Sequence, residues 1–599
     1  LEFLLLIFNK QLTFMIDHSF LDLAIIAAFF SATLFVGFYV SKKSSSSSSE
    51  YFLSGRNMPW WLLGISMVAT TFSTDTPNLV TDIVRNNGVS GNWVWWAFLF
   101  TGLLTVFVYA KLWRRSDVST DMEFYELRYS GWGGRFLRGF RAIYLGVIFN
   151  VMAMAGVTLA AIKIGEIMLG LDPVETILYA GSITVIFSTV GGFRGVVYTD
   201  FILFFAAMVG SIGAAYYLVN LPEVGGMTNL ISNENISDKL SILPSFDDPN
   251  LYIPLLIVPL AVQWWSSWYP GAEPGGGGYI AQRMLAAKNE NHAIGATFFF
   301  NVMHYALRPW PWIIVALASL VVFPDISSIQ EAFPNISEDK LGQDLAYPAM
   351  LTKLPSGLLG IVVASLGAAF MSTISTHLNW GSSYIVNDFY KRFINKSANE
   401  RQLVLVGRLF SVLSILMGAG LGLVLTDASQ AFQLLLMIGA GTGLIYILRW
   451  FWWRINAYTE IIAMISSLVI AYYFNFLSDE YAAWQELIIG ALLTTAIWVF
   501  ATFATSPEDD KTLRRFVKTV NPGGPGWKNF KQKNQTEEWS VPIGILSMLL
   551  ATVAVYSVLL ATGSFIYGDY VLATILTFIS LICTYFLFKV WFKNSPNIV

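Results

Sequence analysis

Long apolar segments, separated by short polar connections, fill most of this 599-residue chain. A membrane-spanning helix needs about 20 consecutive apolar residues, and about fifteen segments approach or exceed that length. They lie near 20–41, 60–80, 92–113, 140–170, 174–191, 196–220, 251–269, 293–323, 347–386, 403–426, 430–453, 457–476, 484–506, 541–562 and 568–592. The pattern therefore predicts an all-α polytopic membrane protein with about 15 transmembrane helices.

Two of these segments contain residues that interrupt a helix. Segment 60–80 carries the run ATTFSTDTP, so we expect its helical hydrogen bonding to break near 69–72. A second break falls in 264–278, WWSSWYPGAEPGGGG, because its prolines and glycines do not continue a helix. Backbone freed in this way is tolerated in a bilayer where it lines a cavity or a site. A proline kink capped near the outer surface is an alternative explanation of the first break.

The spacing of the two breaks predicts an internal repeat. They fall in the second and the seventh predicted span, five spans apart, so a second copy of the first five helices is inverted in the membrane. The predicted divisions are an N-terminal extra helix with a Ser-rich linker (1–50), a first inverted repeat (51–220), a second inverted repeat (221–455) and additional C-terminal helices with a cytoplasmic loop near 507–540 (456–599).

Charge is sparse and unevenly distributed. Only 13% of the residues are charged and the formal net charge is −3, which gives no electrostatic reason to expect nucleic acid as a partner. Most of the 36 Lys and Arg residues fall in alternate connections, and the positive-inside rule assigns those connections to the cytoplasm. We therefore expect a multi-pass protein of the plasma (inner) membrane, with the N-terminus outside and the C-terminus in the cytoplasm.

Enzyme chemistry finds little support in the sequence. The single cysteine, Cys583, excludes an intramolecular disulfide and a cysteine-based metal cluster. No convergent set of nucleophile, base or metal ligands is visible, so we expect a protein that is not an enzyme and has no organic cofactor. We also expect it to function as a monomer. A passive channel would require a continuous polar stripe through several helices, whereas the polar positions here concentrate at two breaks and on one helix face.

Four hydroxyl residues form a cluster in an otherwise apolar helix: Ser372, Thr373, Ser375 and Thr376. At this spacing they share one side of the helix. Neutral oxygen ligands at mid-membrane depth suit a small hard cation such as Na⁺, which exchanges its water shell for protein oxygens. Alternatively, each hydroxyl bonds a carbonyl of the preceding helical turn.

Three ionisable residues lie unusually deep. Asp200 begins the sixth segment, and a carboxylate in the membrane is costly unless it meets a cation, so it is either a functional residue or the partner of a nearby Arg194. His304 and Arg308 lie one turn apart on a shared face of the eighth segment. They either meet a solute or brace a carboxylate such as Asp75 or Glu273.

Several motifs together resemble the sodium:solute symporter family, which includes the sodium/glucose, sodium/proline and sodium/sialic acid cotransporters. The matching stretches are EYFLSGRNMPWWLLGISMVAT at 50–70, VGGFRGVVYTD at 190–200, AQRMLAAK at 281–288, AAFMSTISTHLNWGSSYIVNDFYKRF at 368–393, VGRLFSV at 406–412 and QAFQLL at 430–435. The resemblance implies a LeuT-like fold of two inverted five-helix repeats, with one helix before them and extra helices after them.

The resemblance also implies ligands for the coupling ion, of which one or two are expected. A first Na⁺ would be held by the carbonyls of Ala69, Phe72 and Ala369 and by the hydroxyls of Ser372 and Thr373. A second Na⁺, bound in some members only, would be held by Asp200, Ser372, Ser375 and Thr376.

The solute region departs from the sugar and proline transporters, so a specific solute is not implied. The residues that we expect to line the solute cavity are Ser73, Asp75, Thr76, Trp95, Trp96, Trp264, Trp268, Tyr269, Glu273 and His304. Aromatic plates with carboxylates suit a polyhydroxylated ligand. The sequence thus predicts Na⁺-coupled symport of a small polar solute, with a sugar, polyol or sugar acid favoured. Alternatives are an organic anion, an amino acid or a vitamin, and a sensor of this fold that has lost transport.

Overall fold

The computed structural model describes residues 19–41, 47–266, 273–334, 336, 338–425, 439, 441–478, 480–531 and 539–594. Helices dominate these residues, and the extended pairing found among them is a single bridge between Met58 and Ala287. Eleven helices in this part of the chain are long and apolar enough to cross a membrane.

The first group of helices precedes the acidic connection at 221–248. Its members are α1 (Phe20–Ser41), α2 (Trp60–Thr70), α3 (Asp75–Asn87), α4 (Val89–Ser116), α5 (Gly131–Leu169) and α6 (Pro173–Val219). Gly192, inside α6, has non-helical dihedral angles (φ 56°, ψ −171°), and the chain changes direction there. As a result, α6 has two helical parts, of which Gly192–Val219 is one of the eleven long apolar helices.

The second group follows that connection. Its members are α7 (Pro249–Ala261), α8 (Gly278–Ala286), α9 (Glu290–Val322), α10 (Leu358–Ile394), α11 (Glu400–Val424), α12 (Ala457–Phe476), α13 (Ala483–Ala504), α14 (Asp510–Val520), α15 (Val541–Ile566) and α16 (Tyr570–Asn594). Residues 441–448 are also helical. Shorter helices are Ser48–Leu53, Glu123–Arg128, Met227–Ile231, Ile326–Ala332 and Ala346–Leu351.

Polar residues fix where several of these helices begin. Asp172 accepts a hydrogen bond from the Glu175 backbone N–H at 2.8 Å and so caps the first turn of α6. Pro173, the first residue of the helix, has a φ angle that its ring already fixes near the helical value. Asn399 caps α11 in the same way through the Gln402 N–H at 2.9 Å. These caps satisfy N–H groups that the helices leave without an internal partner.

The break predicted in the second span is present, between the end of α2 and the start of α3. The Thr71 N–H still bonds the Met67 carbonyl at 3.2 Å, so the interruption covers residues 71–74 rather than 69–72. The Thr71 hydroxyl also lies 3.0 Å from the Met67 carbonyl, which supports this last turn. Pro77 is the third residue of α3, where a missing N–H costs no helical bond.

The centre of the bundle is the packing of α6 against α10. Both helices also contact α1, and α2 packs against α6 and α9. Nearly every side chain of α10 from 368 to 384 is buried, including polar ones, so its hydroxyl residues lie inside the protein rather than in lipid. Helices α15 and α16 pack together as a pair at the periphery.

The two ends of the bundle differ in charge. At one end, called here the basic end, the connection between α4 and α5 meets the ends of α8 and α10, through bonds such as Arg114 to the Ala287 carbonyl and Arg392 to Glu126. At the other, the acidic end, Lys163 pairs with Asp344 at 2.7 Å. Each of these contacts joins parts of the chain that lie far apart in the sequence.

The predicted all-helical membrane fold is confirmed. Apart from the eleven long helices, the predicted spans correspond to the short apolar helices α2 and α7, to the part of α6 before Gly192 and to 441–448. The predicted span 430–453 lies partly outside the described residues. Helix α10 begins later than predicted and extends to Ile394, and its last ten residues, Ile385–Ile394, are π-helical.

Candidate functional site at the break between α2 and α3

Thr373 joins α10 to the broken helix. Its hydroxyl oxygen lies 3.1 Å from the Thr70 carbonyl and 3.3 Å from the Phe72 carbonyl. Carbonyls at the end of a helix have no partner within it, and their aligned dipoles give this end a partial negative charge. The hydroxyl and the carbonyls together form a cluster of oxygen ligands between two helices that are distant in sequence.

Asp200 of α6 lies beside this cluster and is fully buried. Its two carboxylate oxygens accept hydrogen bonds from the hydroxyls of Ser66 and Ser372, both at 2.5 Å. Sequence proximity suggested Arg194 as an ionic partner, but the cation beside Asp200 is Arg283 of α8, at 3.5 Å.

Arg283 holds this polar cluster together from the side of α8. Its Nε donates to Ser66 at 3.0 Å, and its Nη2 donates to the hydroxyls of Thr70 at 2.7 Å and Thr376 at 3.1 Å. The guanidinium also lies over the ring of Tyr279, 5.7 Å from its centroid. A permanent positive charge therefore occupies the surroundings of the Asp200 carboxylate.

The side chains predicted to bind the first Na⁺ do not all point toward the break. Thr373 meets Phe72, whereas the Ser372 hydroxyl turns toward Asp200. The Ala69 carbonyl accepts the Phe72 N–H at 3.2 Å, and Ala369 lies buried one turn before Thr373.

In the predicted second set, Ser375 follows the alternative of a bond within its own helix. Its hydroxyl donates to the Ser372 carbonyl at 3.1 Å, and Thr376 lies next to Arg283. Asp200 and Thr376 thus contact the same guanidinium, and Ser372 is bound to Asp200.

His304 and Arg308 approach the break from α9. The His304 Nδ1 lies 3.2 Å from the Thr71 hydroxyl, while the Arg308 Nη1 donates to the Val68 carbonyl at 2.9 Å and to Thr71 at 3.1 Å. The sequence left open that these residues brace Asp75 or Glu273. Their hydrogen bonds instead reach the end of α2.

Three of the predicted solute-lining residues lie at or just before the beginning of α3. Asp75 is its first residue and half-buried, and Thr76 lies within 3.4 Å of its carboxylate. In the described part of the chain Asp75 makes no ion pair, and the Ser73 hydroxyl has no hydrogen-bond partner. The positive end of the α3 dipole favours a carboxylate at this position.

Trp95 contacts His304 directly, whereas Trp96 lies behind Trp95 in the packing. The Trp95 ring lies 5.7 Å from the His304 ring, edge to face, and its indole N–H donates to Asn92 at 2.8 Å. Trp96 is fully buried against Trp95. Trp95, His304 and the break therefore pack together, and Trp96 packs against Trp95.

The remaining predicted lining residues are placed elsewhere or lie outside the described residues. Trp264 packs against Phe100 at a ring distance of 5.8 Å. Trp268 and Tyr269 lie outside the described residues. Glu273 is 5% exposed, and its cationic partners are Arg141 and Arg449. The structure therefore associates Glu273 with opposite charges from α5 and from the segment after 441, not with the break.

Glu273 belongs to a buried set of four charges, which we call the four-charge cluster: Arg141, Glu273, Arg449 and Glu460. Each of them is at most 5% exposed, and Arg449 lies 3.4 Å from Glu460 and 4.0 Å from Glu273. Tyrosine hydroxyls complete the cluster, with Tyr446 accepting from Arg141 at 2.6 Å. These contacts join the first five-helix half to the second half and to α12.

Sequence reasoning missed Ser66, Thr70 and Arg283. Ser66 and Thr70 lie one turn apart on the face of α2 that meets Asp200 and Arg283, a spacing visible in the sequence. Arg283 occurs in the AQRMLAAK motif, but nothing in its local pattern indicates a partner 83 residues earlier in the chain.

Comparison with known proteins agrees with this architecture. The chain is 25% identical over 517 residues to the sodium/glucose cotransporter of Vibrio parahaemolyticus, covering 83% of this chain and 93% of that protein. It is 26% identical to sodium/myo-inositol cotransporter 2 of Oryctolagus cuniculus, covering 73% of this chain and 67% of that protein.

A solved structure of a Na⁺-coupled sialic acid symporter, in a substrate-bound outward-open state, superposes with a TM-score of 0.66 at 20% identity. The match covers 82% of this chain and 99% of that one, and it supports the LeuT-like arrangement of the helices. The family model for sodium:solute symporters matches residues 51–467, which include both halves of the bundle. The chain therefore belongs to the sodium:solute symporter family, whose members are multi-pass membrane transporters that couple Na⁺ to a solute.

Proposed function

We propose that this protein couples inward Na⁺ movement to uptake of a small polyhydroxylated solute, and that the ion binds where Thr373 meets the break. The observation that carries the proposal is the approach of the Thr373 hydroxyl to two carbonyls, at 3.1 and 3.3 Å. Carbonyl and hydroxyl oxygens are the ligands that a hard cation takes in place of water. We assign the carbonyls of Ala69, Phe72 and Ala369 and the hydroxyls of Ser372 and Thr373 to this site. The Thr70 carbonyl, 3.1 Å from the Thr373 hydroxyl, adjoins it.

Ser372 is able to serve this site while bound to Asp200. A hydroxyl has one proton and two lone pairs, so its donation to the carboxylate leaves oxygen lone pairs for an ion. Ser372 then connects the cation to a negative charge through one hydrogen bond. The carboxylate offsets part of the cost of dehydrating Na⁺ without being a direct ligand.

We further propose one coupling ion for the conformation described here. Two members of the second set, Asp200 and Thr376, contact the Arg283 guanidinium, which already neutralises the carboxylate. A second Na⁺ at this position would lie beside a fixed positive charge, which is unfavourable at low dielectric. The second site forms when Arg283 moves away from Asp200.

The transport step follows from what the ion connects. Na⁺ held by α2 and α10 fixes the broken helix against the centre of the bundle, next to the residues proposed to bind the solute. Ion and solute together stabilise the state that switches, more than either alone, which is the condition for coupling. Movement of the two halves then exposes both ligands at the basic end, which we assign to the cytoplasm from its Lys and Arg residues.

The solute site is proposed to include Ser73, Asp75, Thr76, Trp95 and His304. Asp75 offers acceptors for sugar or polyol hydroxyls, and an aromatic face suits the apolar side of a sugar ring. The glucose and myo-inositol named for two relatives belong to the same chemical class. An organic anion is less favoured because Arg308 donates to the backbone of α2. We place the protein in the plasma membrane, as a monomer, with α1 beginning outside and α16 ending inside.

Uptake into proteoliposomes tests this proposal. Radiolabelled glucose, galactose, mannose and myo-inositol, with a carboxylate and an amino acid as comparison solutes, are offered under an inward Na⁺ or K⁺ gradient. We expect uptake of a polyol or sugar with Na⁺ only. Thr373→Ala should abolish it, and Thr373→Ser, which keeps the hydroxyl, should retain it. Equal uptake with K⁺, or normal Na⁺ dependence in Thr373→Ala, contradicts the assignment, and solute binding without flux indicates a sensor.

A further inference from the structure

We propose that Arg308 is a positioning residue for the cation site, and that Trp312 acts with it. Together they hold the end of α2 in the broken form that presents carbonyl oxygens to α10. This inference rests on the proposed function of the break, and it assigns to α9 a part in setting Na⁺ affinity.

Local sequence places Arg308 at an irregular point of α9. Residues Met303–Leu307 are π-helical, and the Arg308 N–H bonds the Met303 carbonyl at 3.1 Å. Pro309 and Pro311 follow, so two further positions lack the N–H groups of a regular helix. Such π segments are frequent at functional sites. This irregularity fixes where the Arg308 side chain leaves α9.

The Arg308 guanidinium bonds the last turn of α2. Its Nη1 lies 2.9 Å from the Val68 carbonyl and 3.1 Å from the Thr71 hydroxyl, and the residue is 2% exposed. Val68 belongs to the last turn of α2, and Thr71 directly follows the last residue of this helix. The charged donor therefore satisfies a carbonyl at the point where the helix ends, which stabilises the break against continuation into α3.

Trp312, one turn further along α9, holds the next residue of the break. Its ring stacks on Phe72 with centroids 5.3 Å apart and planes within 7°. The Arg308 guanidinium lies over the same tryptophan ring at 5.2 Å. The indole N–H donates to Ser211 of α6 at 3.3 Å, so the ring is also anchored to the centre of the bundle. Phe72 is one of the two residues whose carbonyls approach Thr373.

The carbonyl oxygens of the break therefore face two different cations, the Arg308 guanidinium and the proposed Na⁺. Val68 is bound by Arg308 from α9, whereas the carbonyls of Thr70 and Phe72 are turned toward Thr373 of α10. If positioning dominates, loss of the Arg308 contacts weakens Na⁺ binding. If repulsion between Arg308 and the ion dominates, loss of the arginine strengthens it. The number of contacts to the break leads us to infer the first.

Equilibrium binding of ²²Na⁺ to the purified protein tests the inference without any solute. We expect Arg308→Met to raise the half-saturating Na⁺ concentration by about tenfold, as for loss of a hydrogen bond from a charged group, with an unchanged number of ions bound at saturation. Arg308→Lys, which keeps one charged donor, should recover most of the affinity. Trp312→Leu should raise the half-saturating concentration by a smaller factor and offers a second test if Arg308→Met does not fold.

Arg85→Gln is the matched control. Arg85 is also buried, and it donates a hydrogen bond to Ser319 of α9 at 3.0 Å. It lies near the end of α3, at the acidic end of the bundle. We expect wild-type Na⁺ affinity in this variant. Unchanged or tighter binding in Arg308→Met, or equal weakening in Arg85→Gln, overturns the inference. Absence of saturable Na⁺ binding in the wild-type protein contradicts the proposed function instead, so the two failures are distinguishable.

Discussion

Arg283 lies 3.5 Å from the Asp200 carboxylate, and neither side chain is exposed to solvent. The pair links α8 of the second half of the bundle to α6 of the first half. Because each charge loses its water shell on burial, the two depend on each other and on the hydroxyls of Ser66, Thr70, Ser372 and Thr376. Ser372, which we propose as an ion ligand, therefore also helps to stabilise the buried pair.

Removal of one member of this pair should destabilise the protein strongly. For Asp200→Asn or Arg283→Gln we expect a loss of about 3–5 kcal/mol, because a buried charge is left without its partner. The double variant removes both charges and should melt at a higher temperature than either single variant. The measurement is the apparent melting temperature of the four proteins in detergent. Additive losses would show that the two charges are not coupled.

Loss of the Arg283 charge should also change the number of ions. Arg283→Gln leaves Asp200 and Thr376 available to a cation, so the Hill coefficient for Na⁺ activation of uptake should rise from near one toward two. Arg115→Gln is a suitable control because Arg115 bonds Glu290 at 2.9 Å at the basic end. A Hill coefficient that is unchanged in Arg283→Gln would contradict the one-ion proposal.

The four-charge cluster should restrict access from the basic end. Glu273→Gln removes one of the charges that join the two halves, so we expect that end to open more often. The single cysteine allows a direct test in a Cys583→Ala background with a reporter at Ala281, which is fully buried on α8. Labelling of Ala281→Cys by a membrane-impermeant thiol reagent should be faster in Glu273→Gln.

Glu290→Gln provides the control for this experiment. It removes the same kind of charge from the half-exposed pair with Arg115. We expect labelling at the rate of the parent protein. Equal rates in both glutamine variants would indicate that the cluster has no special part in closing this end.

Acid should destabilise the basic end through Glu126. Burial acts to raise the pKa of this half-buried carboxyl, but hydrogen bonds and charge from Arg392 and Arg138 outweigh it and bring the pKa below its ordinary 4.5. A lowered folded pKa gives stability that is present above the ordinary value and lost as pH falls through the folded value. Glu126→Gln should therefore flatten the decline in melting temperature below pH 4.5.

The exposed carboxylate of Glu234 at the acidic end offers the comparison, since it makes no ion pair within the described ranges. Glu234→Gln should leave the pH profile as in the wild-type protein. An acid profile that Glu126→Gln does not alter would show that other carboxyls determine the decline.

Much of the fold was predictable because membrane helices are specified locally. Runs of apolar residues define the spans, and the ATTFSTDTP run defines the break within a few residues. The shift of the break to 71–74 reflects Thr71, whose backbone and hydroxyl extend the last turn. Such a side-chain bond is compatible with the sequence but is not dictated by it. The proposed division of the chain into domains remains a prediction.

The site was less predictable because its partners are distant in sequence. The hydroxyl cluster was visible, yet only the structure distinguishes Ser375, which bonds within its own helix, from Thr373, which reaches across to α2. Asp200 was expected near a cation, but sequence proximity suggested Arg194 rather than Arg283. The pairing of Glu273 with Arg141 similarly depends on tertiary packing.

The turn at Gly192 restricts how Asp200 moves. The positive φ of this residue turns α6 with no intervening loop, so we expect the following span to move by tilting about this corner. Asp200 is eight residues from the corner, or about 12 Å along the helix, and a tilt of about 10° would displace it by about 2 Å. That displacement is comparable to the change needed to separate Asp200 from Arg283. We therefore expect a small rotation of the second part of α6 about Gly192 to be sufficient to replace Arg283 with the proposed second Na⁺ beside Asp200.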